Sequence, residues 1–285
     1  MLTAELADTA WRRLGSDLSL TRATYGTARV MWGDSAESLR VAATFGFSSG
    51  DGTYQDAIQV ELLPKDLARR CAGSELRFYE AAEVLEPCVS SCVEEALRIL
   101  DAIPTLLPTV CSLVRSLHLL DPDDDEVDIS FSQPWLPFSA FVSVPGPGST
   151  AGALRVAEAL LHEAMHLQLT LVEAVVPLVV PSGKLYFSPW RNEYRTVQGV
   201  LHALYVFKVI DAFLETAPFQ GPRLTKSRRH SAERRQTIAH QVRAIRDFRG
   251  CRDLTADGAA LVDRLLGEGR DFRVHVQRHS QLPLS

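Results

Sequence analysis

The segment from about residue 151 to residue 176 is apolar on nearly all sides of a helix, and it constrains the fold more than any other part of the chain. Its centre has the sequence VAEALLHEAMHLQLTLVEAVV, preceded by the turn-forming PGPG and ended by Pro177. A helix that is hydrophobic all round lies in a protein interior, with other elements packed around it. Ser149 or Thr150 is predicted to cap its first turn. The sequence therefore predicts a central, buried helix.

The other segments predict a mainly α (α+β) fold, in which a small β element accompanies the helices. Apolar residues recur at helical spacing over 76–119, which predicts two or three helices. Strands are predicted at AIQVELL and, from β-branched and aromatic residues, around 127–132 and 138–144. The extended stretch KLYFSPW precedes a second apolar helix, predicted from about 194 to 216.

The composition excludes several classes of protein. With 30 Lys and Arg against 35 Asp and Glu, the net charge of -5 argues against general nucleic-acid binding. No apolar run approaches the ~20 residues that span a bilayer, and MLTAELADTAWRRLG lacks the apolar core of an export signal. The 5 cysteines are an odd number, thinly spread, and do not form a disulfide framework. We therefore expect a cytoplasmic protein that binds neither nucleic acid nor membrane.

The predicted buried helix carries the sequence His-Glu-Ala-Met-His over residues 162–166. Histidines at positions i and i+4 lie on one helix face, one turn apart, and can bind one metal ion together. Burying two imidazoles and a carboxylate without partners is costly, and a metal ion satisfies both histidines at once. The motif therefore predicts a metal site at His162 and His166.

Two kinds of metalloenzyme use such a helix. In zinc peptidases the glutamate, here Glu163, is the general base that acts on metal-bound water. In non-haem iron oxygenases, two histidines and a third ligand leave positions open for a cosubstrate and O₂. Leu169 and Val172 stand where the extended metzincin motif requires Gly and His, so that peptidase class is excluded.

The third ligand distinguishes the remaining possibilities. Glu173 shares the helix face but lies roughly 10 Å along the axis from His166, too far to bind the same ion. Glu193 lies just before the second apolar helix, and His202 lies inside it, in GVLHALYVF. The residues leave His202 and Glu193 as alternative third ligands.

The second apolar helix also carries a candidate site for a small anion. Arg195, Gly199 and His202 are spaced by four and three residues, so a helix places them on one face. Gly199 would leave room for a small molecule beside the metal, and Arg195 would pair with its far carboxylate. Arg191, just before the helix, is a second candidate. A dicarboxylate that spans a metal and a guanidinium is what a 2-oxoglutarate-dependent oxygenase requires.

Two segments, LRVAEALLHEAMHLQLTLVEAVVPLV and SPWRNEYRTVQGVLHALYVFKVIDAF, resemble the bacterial HExxH-motif peptide-modification proteins. These are Fe(II)- and 2-oxoglutarate-dependent peptide β-hydroxylases associated with ribosomally made natural products. SFSQPWLPFSAFVSVP is similar to the segment before the metal helix in that family, and the resemblance covers about residues 110–216. The site it implies has iron ligands His162, His166 and His202 and the arginine motif Arg191 and Arg195.

The resemblance implies hydroxylation of a β-carbon in a ribosomally made precursor peptide, with Zn(II) as a possible substitute metal. A peptide-presenting protein is a possible further partner, and Glu163 would orient a ligand or a water molecule. One alternative is a zinc metallopeptidase that uses His162, His166 and Glu193, with Glu163 as base. The other is a non-catalytic peptide-binding protein with a structural metal.

We expect a single domain over residues 1–285, since no internal repeat or linker-like tract divides the chain. Residues 1–110 are predicted to form an N-terminal helical and mixed part that opens with a helix over 1–20. Residues 111–216 are predicted to form the metal- and cosubstrate-binding core. Residues 217–285 are predicted to form a C-terminal helical tail.

The variant Glu163→Gln distinguishes the two enzyme classes. In a peptidase it should abolish turnover while metal binding survives, because the general base is gone. In an oxygenase, 2-oxoglutarate turnover should persist, reduced roughly 10–100-fold through a less well oriented metal site. Succinate release and metal content measured on the same sample provide the test. Complete loss of succinate release at full metal occupancy would contradict the oxygenase interpretation.

Overall fold

A computed structural model describes most of the chain between residues 58 and 267. Within that range, it leaves out residues 64, 74, 105, 125–126, 134–135, 148, 150 and 218–223. The predicted opening helix over 1–20 and the tail beyond 267 lie outside the described residues.

The described chain is mainly helical with a small sheet, which confirms the predicted fold class. The helices are α1 (Lys65–Ala72), α2 (Ala81–Val84), α3 (Pro87–Asp101), α4 (Leu106–Leu113), α5 (Gly152–Glu173), α6 (Val197–Thr216), α7 (Leu224–Ala244) and α8 (Ala256–Leu266), with a 3₁₀ turn at Arg246–Gly250. The strands are β1 (Gln59–Val60), β2 (Arg77–Phe78), β3 (Ser116–Asp121), β4 (Ser130–Gln133), β5 (Leu136–Ser143), β6 (Leu185–Ser188) and β7 (Glu193–Thr196).

Strands β1 to β5 form one mixed sheet, and β6 and β7 form a separate antiparallel hairpin. In the sheet, β3 pairs in parallel with β1 and β5, and β4 is antiparallel to β5. The short β2 lies antiparallel along β3, on the same edge as β1. The sheet supplies one wall against which the central helix packs.

Helix α5 is the centre of the molecule. It packs on β4 and β5 on one side and contacts α3, α4 and α6 around the rest of its circumference. Leu160, Leu161 and Leu169 are fully buried, on different sides of the helix. The predicted central, buried helix is confirmed.

The predicted cap of α5 is wrong. The residue before the helix is Ala151, in the left-handed conformation at φ 56°, and it makes no side-chain cap. The hydroxyl of Ser149 instead accepts a hydrogen bond from the Arg155 guanidinium at 2.7 Å. Ser149 therefore binds a guanidinium within the helix, and Thr150, the alternative cap, lies outside the described residues.

Two other boundaries differ from the sequence prediction. Residues 116–119 were predicted to be helical, but Ser116–Asp121 is strand β3, whose residues are buried on both faces almost throughout. A strand buried on both sides shows no alternation, so its apolar run cannot be distinguished from a buried helix. Residues 194–196 were predicted to begin the second apolar helix, but they pair with β6 and belong to strand β7. Helix α6 begins after Thr196, whose hydroxyl caps it by accepting a hydrogen bond from the amide of Gly199.

The expectation that no apolar run approaches the length of a bilayer span is wrong for α6, which is long and apolar enough by length and composition. However, 61% of that window is buried inside the fold. It packs between α5 and α7 and against the β6–β7 hairpin. This burial is typical of a core helix.

The buried His118 on β3 should make stability depend on pH. Its Nδ1 lies 2.9 Å from the Glu61 carbonyl oxygen, and burial lowers the pKa of the ring to about 4. Between pH 6.5 and pH 4, His118 takes up a proton in the unfolded chain but stays neutral in the folded protein. His118 therefore contributes stability above pH 6.5, which is lost as the pH falls towards 4.

We expect His118→Asn, whose amide can still donate to Glu61, to be less stable at pH 7 but to depend less on pH. The difference in the free energy of unfolding across pH 6.5 to 4 should shrink by about 3 kcal/mol. His240→Asn, at an exposed position on α7, is the control and should keep the wild-type slope. Urea unfolding at a series of pH values measures both, and an unchanged slope in His118→Asn would contradict the prediction.

Candidate metal and anion site

A pocket of about 780 Å³ lies where α5, α6 and the β6–β7 hairpin meet. Glu158, His162 and His166 line it from α5, because residues spaced by four lie on one helix face. The connecting turn of the hairpin, strand β7 and the start of α6 form the facing wall. The predicted motif therefore opens into a cavity large enough for a small molecule and part of a second one.

His162 and His166 are positioned to share one ion. Their Nε2 atoms lie 3.1 Å apart. Two nitrogens that each lie about 2.1 Å from a metal are separated by about 3.0–3.4 Å at the angles usual for such ions. Burial lowers the pKa of His162 to about 4 and that of His166 to about 3, so both rings are neutral at pH 7. The neutral ring is the form that binds a metal.

His202 approaches the same cluster from the other side. Its Nδ1 lies 3.3 Å from Nδ1 of His166, while its Nε2 lies 2.9 Å from the Glu173 carboxylate. The two nitrogens of His166 therefore face different histidines. Among the residues that the structure describes, no three His, Cys, Asp or Glu side chains are grouped so as to hold a metal ion. The side chains present fit a metal at the His162–His166 pair.

The other predicted ligand, Glu193, lies at the surface. It is on β7, its side chain is half exposed, and its carboxylate accepts a hydrogen bond from Arg195 at 2.9 Å. It does not line the pocket. The structure thus brings His202 to the histidine pair and leaves Glu193 outside the cluster.

Glu163 is turned away from the pocket. It is 2% exposed, and its Oε1 accepts a hydrogen bond from the Ser130 hydroxyl on β4 at 2.8 Å. Burial raises the pKa of its carboxyl to about 7, although the serine hydrogen bonds oppose that shift. The carboxyl therefore ties α5 to the sheet and does not face a molecule bound beside the histidines.

Arg195 and Gly199 lie together, as predicted, but for a different reason. Arg195 is on β7 and not on the helix, so helical spacing does not place it. A Cβ added at Gly199 would lie 3.5 Å from both Cβ and Nε of Arg195. The space that the glycine leaves is therefore bordered by the Arg195 side chain, which is paired with Glu193.

Arg191 differs from Arg195 in having no ion-pair partner in the part of the chain that the structure describes. It lines the pocket from the turn of the hairpin, and no carboxylate among the described residues lies within ion-pair distance of it. Its positive charge adds to burial in lowering the pKa of both His162 and His166, which indicates that the charge is felt at the pair. Of the two predicted arginines, Arg191 is therefore the one available to an anion.

Sequence reasoning missed the wall formed by α7. Arg234 donates to the buried Glu158 at 2.6 Å, and its guanidinium lies over the Phe207 ring at 5.2 Å. Phe207 in turn stacks on Trp190 and contacts His162 edge-to-face. The spacing of Glu158, four residues before His162, could have indicated its place in the pocket. Nothing in the sequence indicated Arg234, because it reaches the pocket only through tertiary packing.

No protein-family model matches the chain, and no curated protein matches it.

The two arginines should differ as anion anchors. Arg191→Gln should weaken 2-oxoglutarate binding to the zinc-loaded protein by about 10–100-fold, because one charge-assisted contact is lost. Arg195→Gln should weaken it by less than about fivefold, since Glu193 already pairs with that charge in a half-exposed setting. Isothermal titration calorimetry measures both. A larger loss in Arg195→Gln would reverse the assignment.

Proposed function

We propose that this protein is an Fe(II)- and 2-oxoglutarate-dependent oxygenase that hydroxylates a β-carbon in a ribosomally made peptide. The observation that carries the proposal is the pair of Nε2 atoms of His162 and His166, 3.1 Å apart, in a pocket that is also lined by Arg191, which has no ion-pair partner among the described residues. The resemblance of residues 110–216 to HExxH-type peptide hydroxylases leads to the same reaction class.

His162 and His166 would hold the metal. When bound there, iron supplies the activation of O₂ that is coupled to decarboxylation of 2-oxoglutarate and to oxidation of a C–H bond. The protein contributes neutral imidazoles, kept neutral by burial, and open space on the pocket side of the pair. Zn(II) is a possible substitute, because imidazole nitrogens suit both metals.

Arg191 would bind and orient the carboxylate of 2-oxoglutarate that lies farthest from the metal. Its guanidinium can donate two parallel hydrogen bonds to a carboxylate, which fixes direction as well as affinity. The indole Nε1 of Trp190, the residue before Arg191, is buried without a hydrogen-bond partner among the described residues. It offers a further donor to a molecule in the pocket.

The pocket walls would exclude water and place the substrate. Phe207 and Trp190 stack with nearly parallel rings, and Phe207 packs its edge on His162. The volume of about 780 Å³ leaves room for a substrate side chain beside a small dicarboxylate. Outside the pocket, Phe187 and Tyr194 form an exposed ring pair on the hairpin, a surface suited to contact with a peptide.

The zinc peptidase alternative has less support from the site. A peptidase base has to reach a water molecule on the metal, whereas Glu163 is bonded to Ser130 on the side of the sheet. Its third ligand would be Glu193, whose carboxylate pairs with Arg195 at the surface. Both carboxylates would have to leave their partners for that mechanism.

Anaerobic loading with Fe(II), followed by 2-oxoglutarate and then O₂, tests the proposal by measuring succinate. We expect succinate to form with Fe(II), to be absent with Zn(II), and to be lost in His162→Ala. Arg229→Gln, at an exposed position on α7, is the control and should behave as wild type. Peptide cleavage supported by Zn(II) would establish the peptidase instead. The absence of both activities in iron-loaded protein would favour a binding role.

A further inference from the structure

We infer that Glu173 and His202 form a hydrogen-bonded relay that fixes the ring proton of His166 on Nδ1, leaving Nε2 of His166 free to bind the metal. His202 is then a positioning residue and not the third ligand. The inference rests on the proposed metal site at His162 and His166, and it does not depend on which reaction that metal supports.

The relay begins at the Glu173 carboxylate, near the end of α5. Its Oε2 lies 2.9 Å from Nε2 of His202 and accepts a second hydrogen bond, at 2.7 Å, from the Gln198 amide. Because the Gln198 amide can only donate, Oε2 of Glu173 acts as an acceptor, and Nε2 of His202 faces it as the second donor. The side chains of Glu173 and His202 are 11% and 12% exposed, so water competes little for this contact.

The second step passes from His202 to His166. With Nε2 of His202 donating to Glu173, the relay assigns the acceptor role to the other ring nitrogen, Nδ1. The atom that faces it, at 3.3 Å, is Nδ1 of His166. His166 therefore donates from Nδ1, and its lone pair lies on Nε2.

The third step sets the direction of that lone pair. Nε2 of His166 lies 3.1 Å from Nε2 of His162. This edge of the His166 ring faces the pocket. Metal-binding histidines commonly donate their other ring N–H to an acceptor, which fixes the tautomer and the ring orientation. Here that acceptor is another histidine, itself held by a carboxylate.

The remaining oxygen of Glu173 supports this assignment. Its Oε1 is buried and has no hydrogen-bond partner within the described part of the chain. A carboxylate that is buried with one oxygen unsatisfied lowers stability. Oε2 instead accepts from both His202 and Gln198, which indicates that the role of this carboxylate is to orient these two side chains.

Long-range ¹H–¹⁵N NMR of ¹⁵N-histidine-labelled protein tests the relay, because it identifies which ring nitrogen carries a proton, a lone pair or a metal. Without metal, we expect the Nδ1–H form of His166 and the Nε2–H form of His202. With Zn(II), we expect metal signals from Nε2 of His162 and of His166, while His202 keeps its tautomer. A metal-bound nitrogen on His202 would overturn the inference and make that residue a ligand.

Zinc affinity measured by chelator competition gives a second test. Glu173→Leu and His202→Ala should each weaken Zn(II) binding by about 10–100-fold, and both should give mixed His166 tautomers. His202→Asn should restore most of the affinity, because its amide oxygen can accept from Nδ1 of His166. Wild-type affinity and a single His166 tautomer in Glu173→Leu would overturn the relay.

Tyr205→Phe is the matched control. It removes another buried hydrogen bond between α5 and α6, from the Tyr205 hydroxyl to Gln168 at 2.5 Å, without touching the histidines. We expect it to lower the melting temperature while zinc affinity and His166 tautomer stay as in wild type. A loss of zinc affinity in Tyr205→Phe, equal to that of Glu173→Leu, would show that helix packing alone explains the effect and would overturn the relay.

The tests of the relay need neither O₂ nor 2-oxoglutarate. Failure to release succinate would therefore refute the oxygenase proposal and leave the relay standing.

Discussion

Helix α5 is buried on nearly all sides, and this burial determines where its polar side chains find partners. The helix is covered by the sheet, α3, α4 and α6, so any polar group on it has to find a partner inside the protein. Its polar side chains find these partners on different sides of the helix. Glu163 bonds to the sheet, Glu158 pairs with α7, and the two histidines face the pocket. The same burial keeps both imidazoles neutral, the state that a metal requires.

The charges around the pocket are arranged in pairs, with one exception. Arg155 pairs with Asp128, Arg234 with Glu158, and Arg195 with Glu193. Such pairs neutralise much of the local field and fix the geometry of the walls. Arg191 has no such partner among the described residues, so it is the positive charge that an incoming anion would meet.

Helical spacing predicted the parts of the site that lie on one helix. His162 and His166 face one pocket because residues four apart share a helix face, and this relation needs no tertiary information. The same reasoning failed for Arg195, which lies on strand β7. Pairing with β6 in a hairpin places Arg195 in a strand, and the helix begins only at Val197. Strand β3 was missed for a related reason, since burial on both faces removed its alternation.

The sequence alone determined the central helix, its histidine pair and the mainly helical class, because each follows from the periodicity of one continuous segment. The tertiary structure sets how the histidines are connected, through contacts between α5 and α6. Glu173 was predicted to lie too far from His166 to share an ion, and packing of α6 on α5 brings its carboxylate to His202. It also decided that Arg234 reaches Glu158. These contacts join separate helices, and no local pattern encodes the way in which two helices pack.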